Sequence, residues 1–431
     1  MILRDCTLVF PEFHGGQQRV YDNRAKRNVI RCGRRWGKTK AIVTLTADAV
    51  THGGKVGIFA PTYKQLTEPF DELRYILNPI VSSSNKSEGI IKTGTDGKID
   101  CWSLIDNELA GRGREYDLVL IDEAAFTKNS QMLDIWHKSI VPTMATKPGA
   151  EVWVFSTPNG VDPENFFWRA GNDPEMGFKE FHEPSFSNPL VNMEWIENEK
   201  ARMHPDVYRQ EILAEWVDWS GVAFFSVDKW LKDGQPVPYP AHCDRVFAVI
   251  DSAVKAGSAN DGTAVIYMAR NQYSGTPLVI LDWDIVQIEA DLLNTWLPNV
   301  VLPRLEELSK QVGSREGVRG IWIEDKASGS VLLQHGSRKG WPLHAIDSVF
   351  TSIGKDERAI AVSSHHHQES CKISEFAYNK AINYKGVTRN HLLSQVTGFR
   401  IGDKDAARRA DDLLDTYVYS LGIALGSSKG F

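Results

Sequence analysis

Three groups of residues in this 431-residue chain have the types and spacing that phosphate chemistry needs. The first is Cys32-Gly33-Arg34-Arg35-Trp36-Gly37-Lys38-Thr39. Against the phosphate-loop template G-x-x-x-x-G-K-[S/T], Gly37, Lys38 and Thr39 fit, while Cys32 stands where the first glycine would be. In such a loop the backbone N–H groups and a helix N-terminus cradle phosphates, Lys38 reaches the β and γ oxygens, and the Thr39 hydroxyl binds Mg2+. The second group is Asp122-Glu123, which ends the apolar run Tyr116–Ile121. There Asp122 would hold Mg2+ and Glu123 would polarise a water attacking the γ-phosphate. The third is a series of acids, Asp251, then Glu324-Asp325, then Asp411, Asp412 and Asp415. Brought together, they could hold two Mg2+ or Mn2+ ions for phosphodiester cleavage. An all-oxygen ligand set points away from zinc.

Each group needs an element to position it. Residues 26–32 read as a short strand, and a helix is expected from Lys38 through AIVTLTADAV. The continuous apolar run 116–121 suits a buried parallel strand with its acids at the open end of a sheet. Lys55–Pro61 and Glu151–Gly160 read as further strands of an open α/β sheet, which places Ser156 and Thr157 near the γ-phosphate. Arg34, Arg35, Arg112 and Arg114 are candidates for the guanidinium that meets charge on the transferred phosphoryl group. Gln17, in a short helix ahead of the loop, could read an adenine edge.

Later in the chain, Arg245–Asp251 is expected to be a strand ending in an acid, followed by 263–268 and PLVILDWD as an antiparallel meander. A helical stretch near 289–312 precedes a strand ending at Glu324-Asp325, and helical spacing puts Asp411, Asp412 and Asp415 on one face. Asp261, Asp282 and Asp284 read as turn or surface residues, and His365-His366-His367 as a solvent-facing loop. Arg408 and Arg409 could touch DNA phosphates.

Assembled, these motifs resemble the large terminase subunit of tailed bacteriophages, the ATP-driven DNA-packaging motor and nuclease, from about Phe13 to about Leu421. The arginine-bearing loop GRRWGKT, the acidic pair Asp122-Glu123, the Ser156-Thr157-Pro158 segment, Gln17 in HGGQ and RGREYD around Arg112 carry the likeness. The resemblance implies Arg112 as an inter-subunit arginine finger and an adenine-side role for Gln17. It also implies an N-terminal P-loop ATPase domain of the ASCE type and a C-terminal RNase H-like nuclease domain. The nuclease metals would fall on Asp251, on Glu324 or Asp325, and on one or more of Asp411, Asp412 and Asp415. ATP with Mg2+, double-stranded viral DNA, a portal protein, a small terminase subunit and a homo-oligomeric ring on the procapsid follow from the same likeness. The competing reading is a helicase or remodelling ATPase whose second domain binds nucleic acid without cutting it.

Composition sets the frame. Hydrophobic residues at 42% and charged residues at 24% suit a folded globular chain long enough for two or three cores. The boundaries read as 1–220, a proline-rich linker 221–242, and 243–431. Net charge is −6, yet residues 1–40 carry ten Lys/Arg against three Asp/Glu, so the positive field is local to the phosphate loop. Five scattered cysteines with no C-x-x-C pair argue against a disulfide framework and for a reducing compartment. With no signal-like start and no long apolar stretch, the host cytoplasm is the expected location.

Overall fold

The computed structural model describes residues 8–105, 109–127, 129–219, 224–252, 262–272, 276–289, 291–326, 328–402 and 411–426. Asp261, Arg408 and Arg409 lie outside them. The chain divides into two units, residues 1–201 with 205–218, and residues 202–204 with 219–431.

The first unit is built on eight strands: β1 Arg27–Cys32, β2 Lys55–Ala60, β3 Val81–Asn85, β4 Ile90–Thr93, β5 Lys98–Ser103, β6 Leu118–Ile121, β7 Glu151–Ser156 and β8 Lys179–Glu183. Their order in the sheet is β3-β4-β5-β2-β6-β7-β1-β8. All neighbours from β5 to β8 run parallel, and only β3 and β4 are antiparallel additions. Helices cover both faces of such a sheet, so its central strands read as unbroken apolar runs; β6, LVLI, is buried at every position. One strand, β7, lies between the phosphate-loop strand β1 and the acid-bearing strand β6, which is the strand order that defines the ASCE type. The register Arg31↔Ser156 and Ile121↔Val154 brings the C-terminal ends of β6, β7 and β1 to one edge, where open α/β sheets collect ligands.

The second unit has a six-stranded sheet made of β9 Arg245–Asp251, β10 Thr263–Arg270, β11 Leu278–Val286, β12 Val318–Ile323, β13 Leu343–Ala345 and β14 Cys371–Ile373, in the order β13-β12-β9-β10-β11-β14. β9, β10 and β11 form an antiparallel meander; the chain then crosses through helix Leu302–Gln311 to β12, which lies parallel to β9. A three-strand meander followed by parallel additions on its first strand is the RNase H-like topology. Helix Asp412–Leu425 packs on β9 and β10 and is buried from Asp412 through Ala424, which suits a sequence apolar on every face after its first turn.

Three sequence expectations need correction here. Residues 224–242 are not a free linker: Phe225 stacks on Phe399, the Trp230 indole donates to the Tyr417 hydroxyl (2.8 Å), and the Val237 N–H donates to the Ile373 carbonyl (2.9 Å). Prolines there keep an extended segment out of ladder pairing while its apolar side chains fill the core. Asp282 is buried within β11, between Arg304 (2.8 Å) and Lys380 (2.8 Å), and is no surface residue. The three histidines form the last turn of helix Lys355–His367, where the helical period turns only His366 inward.

His366 is 4% exposed, with Nδ1 at 2.8 Å from the Tyr417 hydroxyl and Nε2 at 3.0 Å from the Ser226 carbonyl. The carbonyl can only accept, so Nε2 carries the proton and Nδ1 accepts from the phenol. Burial pushes the imidazole down to about 4. Below the ordinary histidine value of about 6.5 the unfolded chain takes up a proton that the fold refuses, so stability falls as pH drops through that window and levels off near 4. The full window is worth about 3 kcal/mol at most. Denaturant melts of His366→Gln, which cannot titrate, should lack this acid-side slope.

Candidate active sites

The phosphate loop is fixed from behind by a set of backbone contacts. The Gly33 N–H donates to the Glu183 carbonyl (3.0 Å), the Arg34 N–H to the Glu211 carbonyl (2.8 Å), and the Asn188 amide to the Arg35 carbonyl (2.8 Å). The His14 ring donates from Nε2 to the Trp36 carbonyl (2.7 Å), and the Gln17 amide donates to the Gly37 carbonyl (2.9 Å). Gln17 Oε1 accepts from the His14 N–H (3.1 Å), closing a capping box on helix Gly15–Asp22. Gln17, 4% exposed, is thus committed at both ends to holding the loop. Trp36 is buried and meets His14 edge-on, so this residue can offer a ligand only its backbone.

Two glycines make the geometry possible. Gly37 has φ +101°, a conformation that costs a side chain dearly, and from there helix Lys38–Thr51 begins. At Gly33 a Cβ would meet the Ile212 carbonyl oxygen at 2.5 Å and the Ser185 nitrogen at 2.7 Å, both unyielding backbone. Gly33→Ala is therefore expected to lose roughly 2–3 kcal/mol of stability and most nucleotide affinity. A melting curve of the variant with and without ATP checks both.

At the sheet edge the expected side chains do meet. Lys38 Nζ lies 2.9 Å from Glu123 Oε1 and donates to the Thr157 hydroxyl at 3.2 Å. The Ser156 hydroxyl donates to Glu123 Oε2 (3.3 Å) and accepts from the Ala125 N–H (3.2 Å). Burial works to lower the Lys38 ammonium, but the Cys32 sulfur, Glu123 and Asp122 outweigh it and its pKa rises. Burial and the neighbouring Glu123 push the Asp122 carboxyl up to about 7. That is a carboxylate short of positive charge, as a Mg2+ ligand would be without its ion. Glu123 has φ +48°, a strained conformation for a non-glycine residue. The Cys32 thiol is buried and pushed up to about 12, so it acts as a small apolar filler where glycine usually sits.

The arginines separate. Arg34 pairs with the Glu211 carboxylate, and Arg114 lies 3.7 Å from Asp100 and beside Trp102. Arg35, in the loop with φ +64°, and Arg112, in the turn before β6, are exposed and make no ion pair with any described residue.

In the second unit the register Ile323↔Ile250 sets Glu324, the next residue, beside Asp251. Asp251 is shifted well above the ordinary carboxylate range, first by burial and then by the fields of Asp415, Asp412 and Glu324. Those four acids share one field. Asp325 does not: it is exposed and accepts from the Ser330 hydroxyl (2.6 Å), so the carboxylate that converges is Glu324. Asp411 precedes the helix and pairs with Lys355. Asp415 is held by Lys355 (2.9 Å) and Arg358 (2.9 Å), and Glu324 by Lys326 (2.6 Å). Among the described residues no three His, Cys, Asp or Glu side chains already stand as a metal-ligand set. The donor chemistry fits a hard divalent cation, but three of the acids are turned onto basic side chains. Sequence reading missed Lys355, Arg358, His14 and Asn188; only His14 had a signal, the H-x-x-Q capping spacing.

The two units define a class: an ASCE-type P-loop ATPase fold joined in one chain to an RNase H-like fold. No family model matches the chain. It is 27% identical over 252 residues to the large terminase subunits of Thermus phage G20c and Thermus virus P23-45, a match covering 50% of this chain and 51% of each relative. The chain spans about half the length of the curated relatives it matches. Its fold is similar to that of a large terminase from a thermophilic bacteriophage, with a TM-score of 0.60 at 13% identity, over 96% of this chain and 100% of that one. The same thermophilic phage terminase in complex with ATP-gamma-S gives 0.61 at 15% identity, over 95% and 99%. No described helix is long and apolar enough to cross a membrane.

Proposed function

We propose that this protein is a large terminase subunit: an ATP-hydrolysing motor that moves viral double-stranded DNA into a procapsid, and a Mg2+- or Mn2+-dependent endonuclease that cuts concatemeric DNA when packaging starts and ends. The observation that carries the reading is the pairing, in one chain, of the Lys38–Glu123–Ser156 cluster at an ASCE sheet edge with the Asp251–Glu324–Asp412–Asp415 field on an RNase H-like sheet. Likeness to terminases in sequence and fold supports the same reading.

In the motor, phosphates of ATP draw Lys38 away from Glu123 and settle on the N–H groups of residues 35 and 37–39, those of Gly33 and Arg34 being donated to the Glu183 and Glu211 carbonyls. Thr39 and Asp122 would hold Mg2+, which would supply positive charge to offset that of the phosphates. Glu123, freed from Lys38 and steadied by the Ser156 hydroxyl, orients the attacking water. Arg112, exposed and without an ion pair among the described residues, is suited to reach a neighbouring copy in a ring, and Arg35 to act within its own site. In the nuclease, Asp251, Glu324, Asp412 and Asp415 would hold the divalent ions that activate water and stabilise the leaving oxygen. Portal docking and delivery by a small terminase subunit complete the proposal, in the host cytoplasm. Procapsids incubated with linear DNA, ATP and this protein should yield DNase-protected DNA; protection independent of ATP or of this chain would sink the motor assignment.

A further inference from the structure

Two acids of the second-unit site, Asp411 and Asp415, are neutralised by residues of one short stretch. Lys355 is the first residue of helix Lys355–His367, and its ammonium bridges two carboxylates, that of Asp411 and Oδ2 of Asp415 at 2.9 Å. Arg358, one turn on and only 9% exposed, donates to the other oxygen of Asp415 at 2.9 Å and to the Ile353 carbonyl at 3.0 Å, with its guanidinium over the Tyr419 ring. Arg358 is locked by these two hydrogen bonds and the Tyr419 ring. Among the described residues Lys355 is held by the two acids, and its side chain retains 29% of its exposure. One cation is therefore a fixed part of the wall, and the other is a removable occupant.

Coulomb's law makes the occupancy consequential. A monovalent ammonium shared by two carboxylates in a shielded site offsets much of their repulsion with each other and with Asp251. A divalent cation entering among the same oxygens competes for them with twice the charge, and it must first turn Asp415 Oδ2 off the lysine. The lysine has somewhere to go, since its stem starts at the solvent-facing N-terminus of a helix and a long flexible side chain can swing its head into water. This also accounts for the acids not standing as a ligand set while the lysine holds them.

We propose that Lys355 is an internal counter-cation that occupies the acidic site until a divalent metal displaces it, so that metal binding and the Lys355–Asp411/Asp415 pairs are mutually exclusive. The inference rests on the nuclease reading of this site. Lys355 is a positioning residue that acts through the two acids and sets how much free metal the site demands.

The test is Mn2+ binding to the full-length, nucleotide-free protein, followed by loss of the free-ion electron paramagnetic resonance signal. Asp251→Asn identifies which binding belongs to this site. Lys355→Gln should bind Mn2+ roughly tenfold more tightly than the parent chain, the order expected when a competing ion pair is deleted. Lys355→Arg, which keeps the charge, should stay near the parent value. The melting temperature of Lys355→Gln should drop without metal and return with saturating Mn2+. Unchanged or weaker Mn2+ affinity in Lys355→Gln, alongside normal binding by the parent, overturns the counter-cation role and leaves the metal site standing. Absence of any Asp251-dependent Mn2+ binding in parent and variant overturns both.

Discussion

Glu123→Gln is expected to slow ATP turnover by about 10^3-fold, within the range for loss of a general base, while ATP binding grows severalfold tighter. Both effects follow from the same ion pair. In the nucleotide-free state Glu123 holds the Lys38 ammonium at 2.9 Å, and each side chain is largely shielded from water, 14% and 24% exposed. Nucleotide phosphates must break this pair to recruit Lys38, so an amide in place of the carboxylate removes the competitor as well as the base. Phosphate-release kinetics should show kcat collapsing while KM falls; a variant in which KM rises instead would contradict the competition. Cleavage of DNA by the second unit should be untouched.

The backbone at Glu123 adds a second expectation from the same residue. A glutamate at φ +48° is held at a cost of about 1 kcal/mol or more, and glycine occupies that region freely. Glu123→Gly, which loses the Lys38 pair just as Glu123→Gln does, should therefore be more stable than Glu123→Gln and equally inactive. A residue whose removal relieves strain and abolishes turnover is retained for its chemistry.

The first site was legible because its signals are local. Gly37-Lys38-Thr39 sits between an apolar strand and a helix, and LVLI before Asp122 could only be a strand buried on both faces. What Gln17 does was not legible. Its amide reaches the Gly37 carbonyl twenty residues away, a tertiary contact that no spacing announces. The choice between Glu324 and Asp325 turned on sidedness: successive strand residues face opposite ways, and only the register of β12 on β9 says which of the two lies beside Asp251. Prolines at 236–240 read as a linker because Pro excludes regular pairing, although it does not exclude packing. The histidine run read as polar surface, whereas a helix turns one residue in three or four toward its core. Lys355 left no trace at all, since the acids it bridges lie 56 and 60 positions further along the chain.

Asp251→Asn should abolish metal-dependent DNA cleavage, a loss on the order of 10^3-fold, comparable to removal of a group that places charge in a transition state. ATP turnover by the first unit should persist. Without metal, the same substitution should make the protein more stable, because the Asp251 carboxylate is enclosed and faces Asp415, Asp412 and Glu324, a field that works against its charge. An amide of the same shape removes that repulsion, and a gain of about 1 kcal/mol, or a few degrees in Tm, is expected. Saturating Mn2+ should then reverse the ranking, since the parent gains the binding energy of the ion and the variant does not. A structural strand-end aspartate predicts the opposite pattern, with stability lost on substitution and no crossing of the two melting curves when metal is added. The crossing separates an acid kept for a metal from one kept for the fold.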